Sequence, residues 1–288
     1  MDSALTTVGL PIALAIIMFG LGLDLTTNDF RRVGRHPKAV AIALGCQLVL
    51  LPAICFGLVV LLDLPALLGI GMLLLAASPG GTSANLFSHL FHGDVALNIT
   101  LTAINSVIAV FTLPLVTGLA IRYYDRGDTV SLPFSEVVQV FAIVLVPVAI
   151  GMAVRYRKPS FAARMDKPVR IGSAVILAIL VIGILLDQRE NVAEYFAEVG
   201  LAAGLFCAAS LVIGYLVPRA LGVADDQAIA SSMEIGVHNA TLAIFVAVEV
   251  LDETEISIPA AVYSLFMFAF AALWGSFISR RLKRAALV

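Results

Sequence analysis

The chain has 288 residues, of which 60% are hydrophobic and 13% are charged, and its formal net charge is −2. Soluble domains carry roughly 25% charged residues, so this composition excludes a soluble enzyme domain and predicts a chain embedded in a lipid bilayer. No basic arm or basic face accompanies the small net charge, so the composition gives no support to a nucleic-acid partner.

Apolar stretches recur along the whole sequence, and each is long enough to cross a hydrocarbon core of about 30 Å at a rise of about 1.5 Å per residue. The first stretch lacks the basic segment and cleavage site of a signal peptide, so we interpret it as a span. We therefore predict an all-α, polytopic membrane helical bundle that forms one domain over residues 1–288. The predicted spans are residues 4–23, 38–62, 65–90, 93–124, 135–155, 169–187, 197–220, 226–251 and 256–280, about nine in all.

Arginine and lysine are concentrated in short cytoplasmic loops of membrane proteins, so their positions predict the orientation of the chain. With nine spans, the basic clusters after spans one, five and nine fall on one side, and the acidic loops after spans six and eight fall on the other. We expect an inner (plasma) membrane protein with its N-terminus outside and its C-terminus in the cytoplasm. The basic residues are Arg31, Arg32, Arg35, Lys38, Arg155, Arg157, Lys158, Arg164, Lys167, Arg170, Arg280, Arg281, Lys283 and Arg284, and the acidic ones are Asp187, Glu190, Glu194, Glu198, Asp252, Glu253 and Glu255.

Spans three and eight are interrupted by polar and glycine-containing segments. These are SPGGTSAN at residues 78–85 and MEIGVHNA at residues 233–240. The two spans lie five apart, so they cross the membrane in opposite directions, and pairing spans one to four with six to nine gives two inverted halves. Interrupted helices at matching positions of inverted halves are typical of a transport site.

Glu234 lies in the middle of an otherwise apolar span. A charge at that depth costs roughly 2.5–3.5 kcal/mol on insertion scales, so it requires a partner. No lysine or arginine lies at comparable depth in any predicted span, which favours a bound cation. The alternative is a protonated carboxyl that hydrogen-bonds a neighbouring helix.

Neutral oxygen donors are predicted to surround this carboxylate. An oxygen-rich site with a single acid suits a hard monovalent cation, and sodium is the first choice. The alternative is a set of ordinary hydrogen bonds between helices. The donors are Gln47 in span two, Thr82, Ser83 and Asn85 at the first break, and Asn98, Thr102 and Asn105 on one face of span four.

The glycines at the two breaks, Gly80, Gly81 and Gly236, allow the backbone to unwind. Unwound backbone exposes carbonyl groups to cations and helix N-termini to anions, so a carboxylate or sulfonate substrate fits the crossing of the two broken helices. His238 lies one helical turn from Glu234 and offers a titratable group, which leaves proton coupling open as an alternative.

Five motifs in register resemble the bile acid:sodium symporter family, and the match covers nearly the whole chain. They are MFGLGLDL at residues 18–25, Gln47 with Pro52, SPGGTSANLFSHL at residues 78–90, GDVALNITLT at residues 93–102 and EIGVHNATLA at residues 234–243. The resemblance implies an inverted-repeat fold with a panel domain (about 1–62 in part and 135–187) and a core domain (about 65–124 and 197–281). Two broken helices would cross near the sodium sites.

The resemblance also implies roles for individual residues. One sodium site would use Asn85, Asn98, Thr102 and Glu234. A second would use Gln47, Glu234, His238 and the backbone carbonyls of Ile235 and Val237. The substrate would be faced by Asn239, with Thr82, Ser83 and Met267. Three positions depart from the family pattern: Ala84 replaces a serine, His238 replaces a glutamine, and Met267 lies in a span where some bile-acid binders carry a histidine and an asparagine.

We therefore expect a sodium-coupled symporter of an organic anion, bile-acid-like or a smaller carboxylate or sulfonate, that works by alternating access with one or two sodium ions. The alternative is proton-coupled or uncoupled transport of an organic anion, including efflux. Lipid, sodium and the substrate are the expected partners, and no obligate protein partner is evident. The sequence carries no nucleophile–base pair or metal-binding motif of an intramembrane enzyme, and no soluble output domain of a receptor.

Overall fold

The computed structural model describes residues 9–126, 130, 134–187 and 192–285. Within these residues the chain is helical, and β structure is limited to one isolated bridge between Gly80 and His238. The helices in chain order are α1 (Leu10–Asp24), α2 (Thr27–Arg32), α3 (Pro37–Gly45), α4 (Leu51–Leu61), α5 (Ala66–Ala77), α6 (Ser83–Leu90), α7 (Val95–Tyr123), α8 (Phe134–Arg157), α9 (Pro159–Asp187), α10 (Val192–Ala220), α11 (Asp225–Gly236), α12 (Ala240–Phe245) and α13 (Ile258–Ala285).

Beyond Gly9, two π-helical turns in the described part of the chain extend apolar segments. The turn Cys46–Leu50 joins α3 to α4 into one continuous helical segment, and the turn Val246–Val250 extends α12. A 3₁₀ turn, Thr254–Ser257, leads into α13. Single π-helical turns are frequent at functional sites, and Gln47 lies in the first of them.

The described part of every predicted span is helical, apart from the two predicted breaks and one or two residues at some span ends. Among the described residues, five helical segments are long and apolar enough to cross a membrane, so the chain is a helical membrane bundle. The number of nine spans stays a prediction. Residues 4–8 of the first predicted span, and Glu190 of the acidic loop, lie outside the described residues. The five segments are Pro37–Leu61, Val95–Tyr123, Pro159–Ile184, Ala193–Ala220 and Thr254–Leu282.

Span six begins earlier than the apolar run of the sequence predicts. The loop assigned to residues 156–168 is helical from Pro159 onward, and Pro168 lies inside α9. Arg164 and Lys167 are exposed on this extension. Arginine and lysine are good helix formers and keep their charged ends in water, so the helix continues beyond the apolar stretch that predicted its start.

Two groups of helices surround the breaks. The smaller group consists of α1, α8 and α9, which pack on one another. The larger group is a second set of helices in mutual contact: α3, α4, α5, α6, α7, α10, α11 and α13. The α1–α8 contact brings the backbones together: a Cβ atom at Gly22 would overlap the Val148 carbonyl, and one at Gly151 would overlap the backbone of Phe19 and Gly22. Small residues allow this close approach between membrane helices.

Candidate functional site

The two broken segments cross and pair through their backbones. The Gly81 N–H donates to the Val237 carbonyl at 2.7 Å, and the Asn239 N–H donates to the Pro79 carbonyl at 2.8 Å. This antiparallel pairing satisfies unwound backbone that has no helical partner. The crossing therefore joins the end of α5 and the start of α6 to the end of α11 and the start of α12.

The Glu234 carboxylate lies against this crossing. The side chain is 2% exposed, and the Thr102 hydroxyl donates a hydrogen bond to its Oε2 atom at 2.5 Å. The other carboxylate oxygen, Oε1, has no hydrogen-bond partner. A Cβ atom at Gly80 would overlap the carboxylate, so glycine at this position is what lets the carboxylate approach the crossing.

Amide oxygens without partners accompany Glu234. Asn98 Nδ2 donates to the Ala230 carbonyl at 2.8 Å, which orients the amide and leaves Oδ1 unpaired. Both amide atoms of Asn85 are buried without a partner. Buried polar atoms are nearly always hydrogen-bonded, so unpaired oxygens on the helices that meet at the crossing are the feature expected of a ligand site.

The chemistry of this cluster fits an alkali cation. Among the residues whose burial the structure describes, no lysine or arginine is buried, so no protein cation offsets Glu234. The same part of the chain holds no group of three or more histidine, cysteine, aspartate or glutamate residues that would bind a transition metal. A single carboxylate with neutral oxygens remains, which is the donor set of a hard monovalent cation.

Two hydroxyl groups on the same helices were not predicted from the sequence. Ser88 lies one turn beyond Asn85 on α6, and Ser231 lies one turn before Glu234 on α11. Both are buried, and both hydroxyls lack a partner. Their helical spacing from Asn85 and Glu234 is the signal that would have found them.

The residues assigned to a second sodium site also meet at the crossing, but they bond to the protein. Gln47 Nε2 donates to the Ser78 carbonyl at 3.0 Å and lies 3.5 Å from His238 Nε2. The other ring nitrogen of His238 lies 3.0 Å from the Tyr263 hydroxyl, which donates to the Gly236 carbonyl at 2.8 Å. The Val237 carbonyl accepts from Gly81, and Ile235 is buried next to it.

Tyr263 was not singled out from the sequence. It lies in α13 within the apolar run YSLFMFAF, is completely buried, and contacts His238 ring to ring at a centroid distance of 5.3 Å. A buried tyrosine needs a hydrogen-bond partner for its hydroxyl. A tyrosine in an apolar span therefore indicates a buried hydrogen bond, but the sequence does not show which helix supplies the partner.

All four residues assigned to the substrate line one small cavity. Thr82, Ser83, Asn239 and Met267 face it from the crossing and from α13, and Ile17 of α1 and Ser173 of α9 close the other side. Its volume of about 30 Å³ holds roughly two water molecules. Helices α1 and α9 thus close this side of the cavity, which has no room for an organic anion.

Comparison with known proteins gives a consistent result over most of the chain. A family model described as the Sodium Bile acid symporter family matches residues 11–195. The uncharacterized sodium-dependent transporter YocS of Bacillus subtilis (strain 168) is 26% identical over 280 residues, which cover 95% of this chain and 84% of that protein. The ileal sodium/bile acid cotransporter of Homo sapiens is 25% identical over 273 residues, which cover 93% of this chain and 78% of that protein.

A plant protein is similar as well. The probable sodium/metabolite cotransporter BASS1, chloroplastic, of Arabidopsis thaliana is 28% identical over 267 residues, which cover 91% of this chain and 66% of that protein. Two of the three names give an organic cargo, a metabolite and a bile acid, and the word sodium is common to all three.

Proposed function

Because the chain belongs to the sodium bile acid symporter family, we propose that it carries an organic anion across the membrane together with sodium, by alternating access. Its relatives are transporters and not enzymes, so no catalytic residue is assigned. Their names favour sodium over a proton as the coupling ion. The substrate class is a bile-acid-like anion or a smaller carboxylate or sulfonate.

The observation that carries the proposal is the unpaired carboxylate oxygen of Glu234 among the unpaired amide oxygens of Asn85 and Asn98. A sodium ion bound to these atoms and to the Thr102 hydroxyl would neutralise the one buried charge at the crossing. In the absence of the ion, the carboxylate and the oxygens near it repel one another in a medium that screens charge poorly. Sodium binding would therefore order the crossing before the substrate binds.

The substrate is proposed to bind in the cavity beside Thr82, Ser83, Asn239 and Met267. The start of α6 borders this cavity, so its free N–H groups would attract a carboxylate or sulfonate. The cavity holds roughly two waters in this conformation. Admission of an anion would therefore require α1, α8 and α9, the proposed panel, to move away from the proposed core that contains the crossing.

The proposed orientation follows the basic residues. Arg155 donates to the Leu23 carbonyl at 2.7 Å, which holds the ends of α8 and α1 together at the side that the basic clusters mark as cytoplasmic. In a bacterial-type cell the chain would lie in the inner (plasma) membrane, with its N-terminus outside and its C-terminus in the cytoplasm. Cysteine labelling of an exposed position in each loop, with a membrane-impermeant reagent, tests this orientation.

Sodium dependence is tested first without a substrate. Purified protein is expected to melt at a higher temperature in sodium chloride than in choline chloride of equal ionic strength, because an ion that binds only the folded state stabilises it. Glu234→Gln is expected to abolish this difference, and the exposed Glu194→Gln is the matched control that keeps it.

The transport step is tested with the same variants in proteoliposomes. Uptake of radiolabelled cholate, and of smaller carboxylates and sulfonates tested in parallel, is expected to require an inward sodium gradient and to be lost in Glu234→Gln. Equal uptake of a transported anion in sodium and in choline would overturn the proposed coupling.

A further inference from the structure

We propose that His238, Gln47 and Tyr263 form a closed hydrogen-bonded network in place of a second cation site, so that this chain binds one sodium ion. The inference rests on the proposed function and specifies its ion stoichiometry. Only an atom that still has a free lone pair can coordinate a cation, so the direction of each hydrogen bond decides what each atom offers.

The direction of the bonds around Tyr263 follows from its single proton. The Gly236 carbonyl, 2.8 Å away, can only accept, so the tyrosine hydroxyl donates there. The same oxygen, 3.0 Å from His238 Nδ1, is then left to accept, so His238 carries its proton on Nδ1. This tautomer directs the one lone pair of the neutral ring to Nε2.

The remaining lone pair of His238 faces an N–H group. Gln47 Nε2 donates one hydrogen to the Ser78 carbonyl at 3.0 Å, which fixes the orientation of the amide. Its second hydrogen is available to His238 Nε2, 3.5 Å away. The nitrogen end of the Gln47 amide therefore points at His238, and an amide nitrogen that donates two hydrogen bonds does not coordinate sodium.

Packing leaves the imidazole fixed in this position. His238 is 1% exposed and Tyr263 is completely buried. The Phe206 ring lies against both, at centroid distances of 5.6 Å and 5.9 Å. The ring nitrogens of His238 thus each have a protein partner, and the aromatic neighbours oppose rotation of the ring towards another ligand.

The two residue sets therefore differ in what they offer a cation. Glu234 belongs to both sets, so the sets differ in their other side chains. Asn85 and Asn98 each keep an unpaired amide oxygen, whereas Gln47 and His238 keep one between them, the Oε1 atom of Gln47. With Glu234 committed to the first ion, one neutral side-chain oxygen beside the backbone carbonyls does not replace the hydration shell of a second ion. Glu234 is also the only carboxylate that the described structure buries at the crossing, and one carboxylate neutralises one monovalent cation.

The number of ions is measured by equilibrium binding of ²²Na⁺ to the purified full-length chain, with sites counted per protein molecule. Wild type is expected to bind one ion. His238→Gln is expected to bind two, because it supplies an amide oxygen where the imidazole has none to offer. The exposed His89→Gln is the matched control and is expected to keep one site.

The outcomes separate the inference from the proposed function. Two sites in wild type would overturn the inference and leave sodium coupling intact. One site in both wild type and His238→Gln would overturn the role assigned to His238. No binding in any of these proteins would overturn sodium coupling itself.

A second measurement observes the network directly. The ¹⁵N spectrum of histidine-labelled protein, in which His36, His89 and His92 are replaced by glutamine, is expected to show His238 protonated at Nδ1 and unprotonated at Nε2. Addition of sodium chloride is expected to leave the Nε2 resonance in place. A sodium-dependent shift of that resonance, absent in the Glu234→Gln background, would show that His238 coordinates an ion and would contradict the inference.

Discussion

Replacement of Gly80 by alanine tests how closely the Glu234 carboxylate must approach the crossing. The added methyl group would occupy the space of the carboxylate, which overlaps the ideal position of a Cβ atom at this residue. The backbone cannot move away easily, because the neighbouring Pro79 and Gly81 are hydrogen-bonded to the other broken helix at 2.8 Å and 2.7 Å. The carboxylate is therefore the group that has to turn.

The expected magnitude comes from the bond that this rotation breaks. The Thr102 hydroxyl donates to Glu234 Oε2 at 2.5 Å, and a hydrogen bond to a charged group contributes about 1.5–3 kcal/mol. Because about 1.4 kcal/mol corresponds to a tenfold change in affinity, we expect Gly80→Ala to weaken sodium binding by about 10- to 100-fold.

The assay is the sodium concentration that gives half of the maximal thermal stabilisation, measured with choline chloride to hold the ionic strength constant. Gly57→Ala is the matched control, because no atom lies within 4 Å of a Cβ atom placed at Gly57. Wild-type melting of Gly80→Ala in choline would establish that the variant is folded. An unchanged sodium midpoint in such a folded variant would refute the proposed position of the carboxylate.

Two further predictions concern sodium affinity and helix packing. Thr102→Val keeps the side-chain shape but removes the hydroxyl that donates to Glu234, so we expect the affinity for sodium, measured by ²²Na⁺ binding, to fall about tenfold. Thr100→Val is the control that is expected to keep the wild-type affinity, because the Thr100 hydroxyl bonds a carbonyl of its own helix. Gly151→Ala is expected to lower the melting temperature, since its methyl group would overlap the α1 backbone and overpacking costs about 1–3 kcal/mol. Gly172→Ala is the control, because no atom lies within 4 Å of a Cβ atom placed at Gly172. It is expected to leave the melting temperature unchanged or to raise it, since alanine favours the helix. Equal melting temperatures of the two variants would contradict the α1–α8 packing.

The predicted positions of the helices agree with the structure because hydrocarbon solvent imposes them. In a bilayer the backbone must satisfy its own hydrogen bonds, so an apolar run of sufficient length forms a helix regardless of its neighbours. The same rule fails at the membrane surface, where water solvates the backbone. That is why the helical stretch from Pro159 to Pro168 and the short helix α2 were not predicted. In α2, the Asp29 carboxylate accepts hydrogen bonds from the Thr26 backbone at 2.7 Å and from the Thr26 hydroxyl at 2.6 Å, which stabilises the start of the helix.

Much of the candidate site could also be predicted, because polar groups are conspicuous in apolar spans. Glu234, Asn98 and Thr102 stand out by composition, and the glycines mark the two breaks. Tyr263 and Ser173 do not stand out in the same way, since tyrosine and serine are common in membrane helices as packing residues. Their importance depends on which helix faces them.

By itself the sequence determined that the chain is a helical membrane bundle. It also predicted that the acid Glu234 lies at one of two broken helices, because burial in hydrocarbon makes every intramembrane charge and every helix break costly and therefore conspicuous. Only the tertiary structure decided which polar atoms remain unpaired. Hydrogen-bond partners come from residues far apart in the chain: Gln47 meets His238 across 191 positions, and Thr102 meets Glu234 across 132. The unpaired oxygens beside Glu234 and the occupied nitrogens of His238 are therefore properties of the packed fold, and no local pattern in the sequence encodes them.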